Sequence, residues 1–138
     1  MERDEAVDRA VKALARRDHS SATLRAKLAR AGVSEDASDD VLGTLRRAGY
    51  LDDARFARDR AANLAAKGYG DAWIKGDLER SQGVEADAAI GVLDPEHERA
   101  AREWARLGGG VKALRTLARR GFSEGSLEPL LHRTPFEE

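Results

Sequence analysis

Glycine recurs behind helical apolar patterns at positions 32, 49, 68, 83 and 121. Each time an apolar or aromatic residue follows it: Val33, Tyr50, Tyr69, Val84 and Phe122. Glycine just past a helix, with a hydrophobic residue folding back behind it, is the commonest helix terminator. Stops this frequent confine the chain to short helices. Ser20, Ser34 and Ser123 stand where N-caps are needed, and Asp94-Pro95-Glu96 reads as N-cap, first-turn proline and a carboxylate at the positive helix end. The pattern predicts an all-α chain of about eight or nine short helices without a β-sheet: 5–17, 21–31, 35–48, 53–67, 71–81, a weak 85–93, 95–107, 111–120 and 124–131. The first helix is expected to bury Val7, Ala10, Val11 and Leu14, and the fourth Phe56, Ala57, Ala61 and Leu64. Trp73 and Trp104 fall on the apolar faces of the fifth and seventh helices, which places both in the core.

The stops also repeat as a unit. Leu24-x-x-x-Leu28-x-x-x-Gly32-Val33-Ser-Glu returns as Ala113-x-x-x-Leu117-x-x-x-Gly121-Phe122-Ser-Glu. A looser echo, Ile74-x-x-x-Leu78-x-x-x-x-Gly83-Val84, carries one inserted residue. Units that cannot bury their own apolar faces stack on neighbours. The expectation is an elongated row of three three-helix modules, 1–52, 53–93 and 94–138, the middle one with a short third helix. Gly108-Gly109-Gly110 reads as a flexible seam, and Thr134 to Glu138 as a frayed tail.

Among the 138 residues, 36% are charged and 41% hydrophobic, with only 5% aromatic, and the net charge is −1. A uniformly basic DNA-coating protein is thereby excluded. The absence of cysteine removes disulfides, thiol catalysis and cysteine zinc sites. No apolar run approaches the ~20 residues needed to span a bilayer, and the charged start Met1-Glu2-Arg3-Asp4-Glu5 is no signal peptide. The chain reads as a cytoplasmic monomer without cofactor. His19, His97 and His132 are scattered singly, which suits surface residues better than metal ligands. The serines fall at helix starts, where capping accounts for them, and no carboxylate pair stands out as acid and base. No catalytic constellation is found, so an enzyme is not expected.

The basic residues are more informative. Residues 9–30 hold seven of them against one acid, and residues 102–120 hold six against one. Arg9, Lys12 and Arg16 share one side of the first helix, with Arg25 and Arg30 on the second. Lys112, Arg115 and Arg119 form a stripe at i, i+3 and i+7 on the eighth. Each stripe alone could be an ordinary solvated face. Two of them in a neutral protein favour contact with a polyanion or an acidic protein surface.

One segment is distinctive: Gly49-Tyr50-Leu51-Asp52-Asp53-Ala54-Arg55-Phe56-Ala57, followed at helical distance by Lys67-Gly68-Tyr69-Gly70, Ile74 and Leu78. With Ser20, Leu24, Lys27 and Leu28, and with Arg119 to Ser123, it resembles the RecX family of bacterial recombinase regulators over nearly the whole chain. Asp71 departs from the family, which usually has proline after Gly-Tyr-Gly. The physical reading of the motif is structural. Gly49 ends the third helix, Tyr50 and Leu51 pack at a module junction, Asp52 or Asp53 caps the fourth helix, and Phe56 enters the core. The resemblance implies a non-enzymatic regulator that binds RecA nucleoprotein filaments in their groove and suppresses ATPase and strand exchange, with direct DNA binding in some members. The rival reading is a small helix-turn-helix DNA-binding protein acting without RecA, with the eighth helix as recognition helix. Neutral charge and few Asn and Gln for base reading count against it.

Overall fold

A computed structural model describes residues 2–133, so the Thr134 to Glu138 tail lies outside the described residues. Among them the chain is all-α, without a strand. The helices are α1 (Arg3–Arg16), α2 (Ser21–Arg30), α3 (Glu35–Arg47), α4 (Asp53–Ala66), α5 (Asp71–Gly76), α6 (Asp87–Gly91), α7 (Glu96–Arg106), α8 (Gly110–Arg119) and α9 (Glu124–Leu131). A π-turn, Asp77–Ser81, continues α5. The helices and their stops lie within about two residues of where the sequence puts them, the fifth reaching Ser81 only with its π-turn. Two compact units result. Among the described residues, one comprises 2–57 with Gln82–Val84, and the other Arg58–Ser81 with 85–133.

The first unit packs α1, α2 and α3 around Ala6, Ala10, Ala13, Leu24, Leu28, Val33, Val41, Leu42, Leu45 and Leu51. The fully buried part of its face on α1 is made of alanines at i, i+4 and i+7, with Val7 and Leu14 partly buried against the core as expected. Val11, expected inside, is 41% exposed. Ser20 caps α2 by accepting from the Thr23 amide at 3.1 Å and donates to the Gln82 carbonyl at 2.5 Å. Ser34 caps α3 through the Ala37 amide at 3.2 Å. His19 corrects the surface assignment. It is buried, its Nδ1 lies 3.3 Å from Thr23 Oγ1, and burial together with nearby Arg17 and Lys27 lowers its pKa.

The Gly49 segment divides in role. Asp52 caps α4 by accepting from the Arg55 amide at 3.0 Å, while Asp53 accepts from the Ser21 amide at 2.7 Å, at the start of α2. Gly49 ends α3, where the Tyr50 amide reaches back to Leu45 O at 2.9 Å. Leu51 is buried, but Tyr50 is 63% exposed and packs at no junction. Phe56 also departs from expectation. It is only half-buried, because the stripe that α4 buries is Ala57, Ala61 and Leu64 at i, i+4 and i+7. Phe56→Ala is therefore expected to destabilise by about 1–2 kcal/mol, less than the roughly 3–5 of a fully buried ring. A chemical-denaturation midpoint measures it; a loss in the upper range would restore the ring to the core.

In the second unit Ala100, Leu114, Leu117, Phe122 and Leu130 form a core, with Ala101, Trp104, Leu107 and Leu127 packed against it. Gly108-Gly109-Gly110 is a hydrogen-bonded turn between α7 and α8 within this unit, fastened beside the core. Trp104 explains this. Its carbonyl accepts from the Gly109 amide at 2.8 Å, and its indole N–H donates to the Gly110 carbonyl at 3.2 Å. Trp104 thus lies beside the core as expected, but Trp73 is 47% exposed.

Candidate interaction surface

The α8 stripe is set by a simple partition of the helix. Ala113, Leu114 and Leu117 face the core, and this leaves Lys112, Arg115 and Arg119 exposed. Lys112 and Arg115 have no ion pair among the described residues, and Arg119 donates only to Thr116 Oγ1 at 3.3 Å. The other bases of this window are ion-paired, three arginines against two carboxylates. Arg102 pairs with Asp94 at 2.9 Å, and Arg106 and Arg120 both pair with Glu103, which they hold below the usual carboxylate range. Burial alone would raise Glu103, but the Arg106 hydrogen bond is the larger influence.

In the first unit, Arg9, Lys12 and Arg16 are exposed and, with Glu5, Asp8, Ala13 and Lys27, line a shallow cleft of about 420 Å³. Lys12 is paired with Asp8 at 2.9 Å and Arg25 with Asp39 at 2.5 Å. Arg30 is exposed, and like Arg9 and Arg16 it has no ion pair among the described residues. Of the eight candidate cations, two are therefore spoken for. α8 carries the acid-free set, since no Asp or Glu occurs between Gly110 and Arg119.

The Gly-Tyr-Gly motif is built into the second unit. Gly68 ends α4 at φ +93, a conformation that side chains resist. Gly70 is needed for proximity. A Cβ there would lie 2.5 Å from the Gly121 carbonyl carbon and the Phe122 nitrogen. The two backbones are joined by Gly70 N–H to Arg120 O at 2.8 Å and Ala72 N–H to Gly121 O at 3.2 Å. Tyr69 stacks on Trp73, with centroids 4.7 Å apart and planes at 12°.

Three charged groups here make contacts that the sequence does not reveal, and Arg99 was not singled out there at all. Arg99 is buried on α7. It donates to the Asp94 carbonyl at 2.9 Å, to the Tyr69 carbonyl at 3.2 Å and to the Asp71 carboxylate, and lies 6.0 Å from the Phe122 ring centroid. Asp71, in the place of the family's proline, is pushed up by burial, against the pull of Arg99. Glu96 accepts from the Asp71 amide at 2.7 Å, the Ser123 amide at 3.1 Å, and the Ser123 and Ser126 hydroxyls at 2.7 and 2.6 Å. Burial opposes its ionisation, yet these donors hold its carboxyl below the ordinary range. A charged residue beside Ala100 on the buried side of α7 was the available signal for Arg99. Glu96 reads from the sequence as a carboxylate at the start of α7, but its bonds to α5 and α9 do not, because those partners lie 25 to 30 residues away.

Among the described residues no cluster of His, Cys, Asp and Glu is arranged to hold a metal, and no helix is long and apolar enough to cross a membrane. The family model described as "RecX, first three-helix domain" matches residues 6–53. Regulatory protein RecX of Stenotrophomonas maltophilia strain R551-3 is 32% identical over 134 residues, covering 88% of this chain and 82% of that protein. The protein of the same name from Xanthomonas axonopodis pv. citri strain 306 is 33% identical over the same shares. Two solved structures show the same fold. RecX from Lactobacillus salivarius has a TM-score of 0.79 at 16% identity, over 95% of both chains. A second, of regulatory protein RecX, has a TM-score of 0.77 at 19% identity, over 94% of this chain and 73% of that one. With identity above 30% across most of both lengths, the chain belongs to the RecX family of regulatory proteins.

Proposed function

We propose that this chain is a non-enzymatic cytoplasmic monomer that binds the RecA nucleoprotein filament and inhibits its ATPase and strand exchange. In this reading 1–52, 53–93 and 94–138 act as three consecutive helical modules along the filament. Lys112, Arg115 and Arg119 make the principal contact, and Arg9, Arg16 and Arg30 are secondary cations. One observation carries the choice of α8: its three cations stand on one exposed, acid-free face, while the neighbouring Arg102, Arg106 and Arg120 each have an ion-pair partner within the unit, Arg106 and Arg120 sharing one. Arginine pairs bidentately with carboxylates or phosphates, so the stripe suits an acidic protein surface or a nucleic-acid backbone.

The test is RecA's DNA-dependent ATPase as the double variant Arg115→Glu/Arg119→Glu is titrated in. Inhibition is expected to weaken by about tenfold or more, with unchanged circular dichroism, since two exposed contacts of ~1 kcal/mol each are replaced by repulsion. Parent-like inhibition by the folded variant would reduce the stripe to a solvated face.

A further inference from the structure

An apolar groove lies open between α8 and α9. Leu114 of α8 and Leu127 and Leu131 of α9 line a cavity of about 410 Å³. Leu131 is 55% exposed there. The two rims differ in charge. Glu124 and Glu128 stand exposed along α9, while Arg115 follows Leu114 directly on α8 and Lys112 precedes it. None of these four has an ion pair among the described residues.

Trp104 fixes where the chain leaves the groove. Its indole N–H donates to Gly110 O at the start of α8, and the Arg133 guanidinium lies 5.0 Å from its ring centroid. The end of α9 is thereby held beside the first turn of α8, where Lys112 stands. Five residues follow Arg133 in the sequence, Thr134-Pro135-Phe136-Glu137-Glu138. Fully extended they reach about 17 Å, and Phe136 alone about 10 Å. From Lys112 to Arg115 the helix rises only about 4.5 Å, so both cations fall within that span.

The order of chemistry in the segment matches that of the surface. Phe136 is its one aromatic residue and two carboxylates follow it directly. An aromatic ring over the leucines takes apolar surface of both from water. The carboxylates then meet cations that have no acid of their own, while Glu124 and Glu128 repel them from the α9 side. We propose that residues 134–138 dock on this groove as an autoinhibitory cover, Phe136 against Leu114, Leu127 and Leu131, and Glu137 and Glu138 against Lys112 and Arg115. Because the contact is intramolecular, a small interface suffices. The cover lowers the apparent affinity of α8 for an acidic surface in proportion to the fraction of chains left open. That regulatory consequence rests on the filament contact proposed for α8; the docking does not.

The experiment is methyl NMR of the leucine-labelled full chain at low salt without RecA, beside Phe136→Ala and Glu137→Lys/Glu138→Lys. A ring seated on the groove displaces the Leu114, Leu127 and Leu131 methyl resonances by its ring current. These should move in Phe136→Ala, while those of Leu24 and Leu28 in the first unit stay in place. The charge reversal should carry the same resonances toward their Phe136→Ala positions. In RecA's DNA-dependent ATPase, Phe136→Ala is expected to inhibit at about fivefold lower concentration than the parent, the factor for a cover closed about four-fifths of the time. The docking is overturned if the three leucines are the same in parent and Phe136→Ala, or if the charge reversal leaves the parent spectrum unchanged. Shifts that vary with protein concentration would also overturn it, since they give the groove to a second copy. The expected methyl shifts with unchanged ATPase inhibition leave the docking standing and count against α8 as the filament contact, so the two readings fail separately.

Discussion

Gly70→Ala is expected to be among the most damaging single-methyl changes in the chain, lowering stability by about 3 kcal/mol or more. The added Cβ would stand 2.5 Å from two backbone atoms of Gly121 and Phe122 and 2.6 Å from the Gly121 oxygen. No side-chain rotamer relieves a clash with backbone, so the segments must separate. Overpacking of this kind costs roughly 1–3 kcal/mol. The two amide–carbonyl bonds that join residues 70–72 to residues 120–121 stretch together, at about 1 kcal/mol each. Gly125→Ala is the control. It lies within α9, a Cβ there meets nothing within 4 Å, and its φ is not in the left-handed region, so alanine should add about 0.5–1 kcal/mol. Denaturation midpoints of the two variants should move in opposite directions. A parent-like midpoint for Gly70→Ala would mean the backbones are not in contact as described.

The difference between these two glycines shows what sequence can and cannot convey. Helix ends were legible because their causes are local: a glycine stop, a serine cap, an apolar period. The insertion between Leu78 and Gly83 was legible too, and its physical form is the π-turn Asp77–Ser81, which absorbs one extra residue without breaking the helix. Arg60 fastens that turn through two bonds to Asp77, at 2.5 and 2.9 Å, a pairing set by α4 and invisible in the turn's own sequence. Facing was less legible than existence. Trp73 adjoins the fully buried Ile74 on α5, and which of the two neighbours turns inward depends on what packs against α5 and not on the local sequence. Phe56 beside Ala57 and Val11 beside Ala10 fail in the same way, because small residues took the tightest contacts. The cationic stripes were legible as patterns. Their sorting into paired and unpaired members depends on carboxylates elsewhere in the fold, such as Asp39 for Arg25.

Glu96→Ala is expected to destabilise by about 3 kcal/mol and lower the melting temperature by roughly 10 °C. The carboxylate accepts the Asp71 amide at the start of α5 and the Ser123 amide and two hydroxyls at the start of α9, so one side chain on α7 ties three helix beginnings together. Hydrogen bonds to a charged group contribute about 1.5–3 kcal/mol, and Glu96 is half-buried, which argues for the sum being well under four independent bonds. Glu96→Gln keeps the shape and one acceptor oxygen but loses the charge, so an intermediate loss is expected. The pair also separates charge from packing by pH. The folded carboxyl sits below its ordinary value of 4.5, so its contribution is present above that value and disappears as pH falls through the lower, folded one. Asp71 acts in the opposite sense, since burial raises its carboxyl and its contribution declines as pH rises. Subtracting the Glu96→Gln profile from the parent's removes the part of the Asp71 effect that burial causes, the largest, and leaves the smaller part due to the Glu96 charge. The stability difference between parent and variant should be flat near neutrality and shrink in acid below about pH 4.5. A difference that stays constant into acid would show that the four donors do not depend on the Glu96 charge.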